Sequence, residues 1–221
     1  MNPFWNKIAK TWNELIEKNR DPYRTYILYP FLISKINKIK EKKILDVGCG
    51  EGYYTRIFEK NNKCIAVDLS INMIKLAKKK SDNSFYCVAD ASFLPFRNEV
   101  FDYIFCNLVL MDVKNIKKFY KECYRVLKEK GVLFVNITNP YVFYHKNYFK
   151  EGLKSFNFPA FDPGKIFREY KFYHRKLSSY INLLIESGFK LEGIYEIEPI
   201  KGSKNVETRF PIFIAFEAMK T

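Results

Sequence analysis

A chain of 221 residues that is 48% hydrophobic can bury one sizeable core but is short for two complete domains, so a single domain over 1–221 is expected. Five cysteines lie far apart with no C-x-x-C, which excludes a disulfide scaffold and a zinc site, and metal ligands are not expected. With 38 Lys and Arg against 24 Asp and Glu, the net charge of +14 is compatible with nucleic acid, an anionic membrane surface or an acidic substrate, and equally with a lysine-rich surface alone.

The N-terminus alternates polar and aromatic residues, so no signal peptide is expected, and no apolar run approaches the roughly 18 residues that a spanning helix needs. A soluble protein is expected, and the scattered cysteines, read as reduced thiols, make the cytoplasm its expected place. From Pro3 to Asn19, the residues Phe4, Trp5, Ile8, Trp12, Leu15 and Ile16 recur at helical spacing. Asp21-Pro22 ends this amphipathic helix, and Tyr23 to Ile39 forms a second helical stretch interrupted or started near Pro30. Residues 1–40 are thus a helical extension, in which either Trp packs a helix on the core or meets a substrate.

Ile44-Leu45-Asp46-Val47-Gly48-Cys49-Gly50-Glu51-Gly52 is an apolar run that ends in an acid and then three glycines at every second position. It reads as a buried parallel strand feeding a ligand-binding turn, with a helix from Tyr53 to Lys60 behind it. A dinucleotide fingerprint would place its third glycine where this chain has Tyr53. The G-x-G-x-G spacing after Asp46 instead resembles motif I of the class I S-adenosylmethionine-dependent methyltransferases, D/E-x-G-x-G-x-G.

Lys63 to Asp68 is a second strand ending in an acid, at the interval where a carboxylate meets ribose hydroxyls in adenosine-binding folds. Ser70 caps a helix running to Lys80, whose terminal lysines Lys78, Lys79 and Lys80 suit the helix dipole and solvent. Phe85 to Asp90 is a third strand ending in an acid. The following Ala91, Leu94, Pro95 and Phe96 resemble the D-A-x-x-L-P-F loop of the same family, in which the Asp accepts from the adenine amine. Phe101 to Asn107 is a fourth strand, Val113 to Lys128 a helix, and Gly131 to Ile137 a fifth strand. The resemblance implies cofactor contacts at Asp46, Gly48, Cys49 and Gly50, at Asp68 and Leu69, at Asp90 and Ala91, and at Asn107. Asn139-Pro140-Tyr141 is not the N-P-P-Y of adenine and glutamine N-methyltransferases, since that motif follows the fourth strand, where Asn107-Leu108-Val109-Leu110 stands. Cys106 lacks the Pro-Cys context of a cytosine-C5 nucleophile and reads as a buried thiol.

From Tyr141 to Tyr180 the composition shifts to 13 aromatics and eight Lys or Arg against three acids, with both histidines, His145 and His174. Ser178 to Ser187 reads as a helix, Leu191 to Ile197 and Pro211 to Met219 as strands, and Lys201 to Thr208 as a mobile loop. Tyr173-His174-Arg175-Lys176-Leu177-Ser178-Ser179-Tyr180 and Asp21-Pro22-Tyr23-Arg24 resemble small-molecule branches of the family.

The resemblance implies an α/β, doubly wound, Rossmann-like sheet of seven mostly parallel strands, order 3-2-1-4-5-7-6 with the last strand antiparallel. Residues 1–40 and the 141–180 insertion cap it. The expected cofactor is S-adenosyl-L-methionine and the expected activity is methyl transfer to O, N or C of a small-molecule acceptor, by a monomer or homodimer. The basic residues of the cap suit an acceptor that bears a carboxylate or phosphate. RNA or protein methylation, and cofactor binding without catalysis, are the alternatives; salt-dependent RNA binding would favour the first and binding without turnover the second. Nucleic acid is not favoured, because no appended binding module is present. His174 is the candidate general base or acceptor-orienting group, its ordinary pKa near 6.5 suiting proton removal, with packing against aromatics as the other reading.

Overall fold

The computed structural model describes residues 4–81, 83–159, 166–200 and 210–221. Five parallel strands, β1 (Lys43–Val47), β2 (Lys63–Asp68), β3 (Phe85–Val88), β4 (Phe101–Asn107) and β5 (Leu127–Thr138), form most of one sheet. A hairpin of β6 (Gly152–Pro159) and β7 (Ile166–His174) stands apart, and β8 (Phe189–Glu196) and β9 (Phe213–Lys220) complete the sheet. Its order is β3-β2-β1-β4-β5-β9-β8, with β9 antiparallel to both neighbours. With the hairpin left out of the count, this is the expected 3-2-1-4-5-7-6.

The side-chain period of two explains why both faces are covered. Leu45 and Val47 of β1, with Ile104 and Cys106 of β4, pack under α5 (Ile116–Val126) and α7 (Leu177–Glu186). Ile44 and Phe105 point the other way, under α2 (Tyr29–Ile36) and α3 (Tyr53–Phe58). There Phe105 stacks on Phe134 with ring centroids 5.4 Å apart. Ala66 and Tyr86 pack on Ile74 and Ala77 of α4 (Ile71–Lys80), whose Ser70 cap accepts the Met73 N–H. Pro30 sits in the first turn of α2, where its missing N–H has no partner to lose, and a π-helical turn, Arg24–Leu28, precedes it.

Three expectations are revised. The helix toward Lys128 ends at Val126, because Leu127 turns extended and pairs with Phe101 at the start of β5. The 141–180 segment is a short α6 (Pro140–Tyr144), a 3₁₀ turn (His145–Asn147) and the hairpin, and from Leu177 it already belongs to α7. Lys80 is no solvent-facing dipole complement: its ammonium reaches Glu51 at 2.7 Å and Glu17 of α1 (Phe4–Glu17) at 3.0 Å. The loop expected at Lys201 to Thr208 lies outside the described residues.

Two polar contacts carry α1 across the sheet edge, Ser70 Oγ to Asn6 Oδ1 at 2.7 Å and Asn72 Nδ2 to Asn6 O at 2.9 Å. Phe4 and Leu15 of α1 bury themselves against Tyr170 and Phe172 of the hairpin. The helical extension and the hairpin therefore form one roof.

The turn after β1 constrains the chain most. Gly48 has φ +73° and a Cβ there would collide with Cγ2 of Val109, whereas Gly50, at φ +56°, faces open space. Both alanine variants carry the left-handed cost of about 1–2 kcal/mol. Gly48→Ala adds overpacking worth roughly 1–3 kcal/mol, so urea unfolding should rank it below Gly50→Ala by that margin. Equal losses would mean that Val109 moves aside freely.

Candidate active site

A cleft of about 860 Å³ opens at the carboxyl ends of β1, β2, β3 and β4, where open parallel sheets place their ligands. Every residue for which the sequence implied a cofactor contact borders it: Asp46, Gly48, Cys49, Gly50, Asp68, Leu69, Asp90, Ala91 and Asn107. Each carboxylate is held differently.

Asp46 is 3% exposed and accepts the Thr55 hydroxyl of α3 at 2.5 Å. Burial, against the pull of Thr55 and with Asp68 and Glu51 nearby, pushes its carboxyl up to about 7. Glu51 is buried as well, and its charge is met by Arg56 at 2.8 Å and Lys80 at 2.7 Å. Asp68 accepts the Gly50 N–H on one oxygen at 2.9 Å and the Ser70 N–H on the other at 2.8 Å, which ties the glycine turn to the end of β2. Burial raises its pKa too. Asp90 is exposed to the cleft and accepts the Ser92 N–H at 2.7 Å. Each of these oxygens keeps acceptor capacity beyond the bond it makes. Asn107 takes the Asn136 amide N–H on its side-chain oxygen at 2.7 Å.

The thiols offer no nucleophile. Burial, with Asp46 and Asp68 beside it, holds Cys49 well above the ordinary thiol range, and burial does the same for the fully enclosed Cys106. Among the described residues, no group of three or more His, Cys, Asp or Glu is placed to hold a metal ion. No helix among them is long and apolar enough to cross a membrane.

The structure does not bring His174 to this cleft. It is 2% exposed, a ring nitrogen lies 2.9 Å from Tyr148 O, and Tyr148 meets the ring edge-on at 6.0 Å. It borders an adjoining pocket with Glu151, Arg175 and Ser179, which shares Lys114 and Tyr173 with the cleft. The cause is the alternation along β7, which turns Tyr173 toward the cleft and its neighbour away.

Residues beyond the implied cofactor contacts border the cleft as well. Trp5 and Trp12 meet edge-to-face at 5.4 Å and both line the cleft, and Trp5 also meets Tyr170 of the hairpin at 5.9 Å, so packing and cleft wall fall to the same rings. Trp5 Nε1 donates to Asp112 Oδ2 at 3.0 Å, linking α1 to the loop after β4. The spacing of Trp5, Trp12 and Ile16, at i, i+7 and i+11, was the available signal for that face. Asp21, Arg24 and Tyr173, which belong to the two stretches resembling small-molecule branches, also border the cleft, as do Tyr54, Lys118 and Lys171, which nothing in their local sequence pattern marks.

This set of groups suits a ligand rich in hydroxyls, amines and positive charge. Asp46, Asp68 and Asp90 supply acceptors, and the open space above Gly50 lets the ligand approach the backbone closely. S-adenosylmethionine has those features.

Comparison with known proteins agrees with the geometry. Residues 45–135 match the sequence model of a family described as Methyltransferase domain. The chain is 35% identical over 103 residues to a malonyl-[acyl-carrier protein] O-methyltransferase of Hamiltonella defensa, covering 46% of this chain and 40% of that protein. It is 30% identical over 191 residues to the uncharacterized protein MJ1123 of Methanocaldococcus jannaschii, covering 86% and 82%. The chain thus spans less than half of the O-methyltransferase and most of MJ1123. Among solved structures, an S-adenosylmethionine-dependent methyltransferase from Mesorhizobium loti superimposes with TM-score 0.66 at 19% identity, covering 86% of this chain and 96% of that one. Another from Aquifex aeolicus gives 0.64 at 19%, covering 93% and 97%, and at such identities the likeness speaks for the fold. Residues 45–135 are thus a methyltransferase domain, and the sheet order and cleft built around them are those of a class I S-adenosylmethionine-dependent methyltransferase.

Proposed function

We propose that the chain transfers the methyl group of S-adenosylmethionine to O, N or C of a small-molecule acceptor held beneath the roof. One observation carries this: a single cleft runs from the carboxylates at the strand ends to the aromatic residues Trp5, Trp12 and Tyr173. In this reading Asp68 takes the ribose hydroxyls and Asp90 the adenine amine. Asp46 and the Gly48-Cys49-Gly50 backbone take the methionine end, while Leu69, Ala91 and Asn107 form walls.

When bound, the cofactor supplies a methyl carbon already activated by its sulfonium. The protein's task is then to align an acceptor in line with that carbon and to exclude water. The indoles and Tyr173 present π-faces to positive charge and keep the site apolar. Lys114, Lys118 and Lys171 border the same cleft, with the Lys118 ammonium 3.0 Å from the centre of the Phe93 ring. They suit an acceptor with a carboxylate or phosphate, whose anionic oxygen needs no proton removed. That matches a site to which His174 contributes no base.

The acceptor can be found without a guess. Cell extract incubated with the protein and methyl-labelled cofactor should yield a labelled small molecule in the mass spectrum. Label found only in RNA or protein would refute the small-molecule reading.

Replacing Asp68 removes an acceptor whose hydrogen bonds, being to a charged group, are worth about 1.5–3 kcal/mol. Asp68→Ala should therefore weaken S-adenosylhomocysteine by about tenfold or more in calorimetry. Unchanged affinity would remove the ribose assignment.

Asp46 makes stability depend on pH. Its folded pKa of about 7 exceeds the ordinary 3.8, so the folded state holds the proton more tightly than the unfolded chain. The stability this provides is complete below about pH 4 and is lost as pH rises to about 7. Between pH 5 and pH 8 the wild type should lose more unfolding free energy than Asp46→Asn, measured by urea titration; parallel losses would contradict the assignment.

A further inference from the structure

The loop that leaves β4 takes its shape from outside itself. Leu108, directly after the strand, has φ +58°, a left-handed conformation that holds only where the surroundings enforce it. Its N–H donates to Asn136 O at 2.8 Å, and the chain then runs along the cleft until Asn115 caps α5 by accepting the Lys118 N–H. The loop's own main-chain bonds are short in reach, Asp112 N–H to Val109 O and Val113 N–H to Leu110 O.

Where β7 runs into α7, the Tyr173 N–H donates to Met111 O at 2.7 Å. Arg175 donates through Nη1 to Leu110 O at 3.1 Å, and through Nη2 to Val113 O at 2.6 Å and to Lys114 O at 2.8 Å. One planar fork of donors thus meets three carbonyls of the loop. Leu110 and Val113 are buried, so without the fork their carbonyls would lose partners that water cannot readily replace. The guanidinium carbon also lies 5.2 Å from the centre of the Tyr173 ring, which walls the cleft, and 5.9 Å from that of Tyr180. The stretch from Tyr173 to Tyr180 therefore meets the cleft directly at Tyr173 and indirectly through Arg175.

This loop brings Asp112, Val113, Lys114 and Asn115 to the cleft. Of the lysines there, Lys118 rests on Phe93 and Lys171 belongs to the hairpin. Lys114 is exposed, sits on the held loop, and borders both the cleft and the adjoining pocket. Among the described residues no carboxylate pairs with its ammonium. Arg175 grips the main chain of Lys114 and leaves its charge open to a ligand.

We propose that Arg175 is the positioning residue of the acceptor site: it holds the loop from Leu110 to Lys114 so that the Lys114 ammonium meets the carboxylate or phosphate of the acceptor. The inference rests on the acceptor reading given above and narrows it, naming the lysine that takes the anion and the side chain that keeps it in place. Arg175 itself does not border the cleft, so cofactor affinity does not depend on it.

Two readouts test this. Transfer of label from the cofactor to the small molecule, followed in a dilution series of one cell extract, gives a half-saturating amount of extract and a plateau rate; calorimetry gives the affinity for S-adenosylhomocysteine. Arg175→Gln should raise the half-saturating amount about tenfold or more, keep the plateau within about threefold and leave S-adenosylhomocysteine within about twofold. Arg175→Lys, with one ammonium in place of the fork, should fall in between. Lys114→Gln changes an exposed side chain without disturbing the fold and should give the same rise, and the double variant should lose no more than the larger single loss, because both act through one contact. A lower plateau with an unmoved half-saturating amount is what loss of folded protein alone would produce, and it overturns the positioning role. Equal weakening of S-adenosylhomocysteine, or additive losses in the double variant, overturns it as well. An unmoved half-saturating amount in Lys114→Gln overturns the assignment of the anion to that lysine. A wild type that labels no small molecule would instead remove the acceptor reading itself, and this inference with it.

Discussion

The two hydrogen bonds accepted by Asp68 fix the rest of the site. One carboxylate receives the Gly50 N–H from the turn after β1 and the Ser70 N–H from the cap of α4, so three elements are set by a single side chain. Because it is half-buried, these bonds are worth more than surface pairs, and losing either leaves an amide without a partner. The turn they hold is one that only glycine permits at Gly48, where Val109 fills the space of a side chain. Carboxylates, open backbone and cleft follow from that local geometry.

The roof is held mostly by apolar contact. Lys80 joins Glu17 of α1 to Glu51, but Glu17 is half-exposed, and such pairs contribute about 0–1 kcal/mol. Burying Phe4, Leu15, Tyr170 and Phe172 contributes more, at roughly 1.5–3 kcal/mol for each large side chain fully removed from water. The helical extension and the hairpin therefore share one small aromatic cluster. Trp5 and Trp12 belong to its edge and to the cleft wall, which couples roof packing to the shape of the acceptor space.

Much of the fold was legible because its strands are buried on both faces. Runs such as Ile44 to Asp46 and Lys63 to Asp68 stop in an acid, and those acids mark the carboxyl edge where the cleft forms. The end of α5 was hidden, since Leu127 fits an inward helical position as well as a strand, and only pairing with Phe101 decides between them. The hairpin was hidden because aromatic and basic residues dominate it without clean alternation. Missing β7 misdirected the choice of His174, as alternation along that strand gives the cleft to Tyr173.

The central claim is that this turn and these carboxylates select an adenosyl sulfonium ligand rather than a dinucleotide. Thermal unfolding of the wild type, alone and with S-adenosylhomocysteine or NAD, tests it most directly. A ligand at 100 times its dissociation constant adds about 2.7 kcal/mol, enough for a clear rise in the midpoint. S-adenosylhomocysteine should raise it and NAD should not, since Tyr53 stands where the dinucleotide fingerprint needs its third glycine. A rise with NAD and none with S-adenosylhomocysteine would contradict the account.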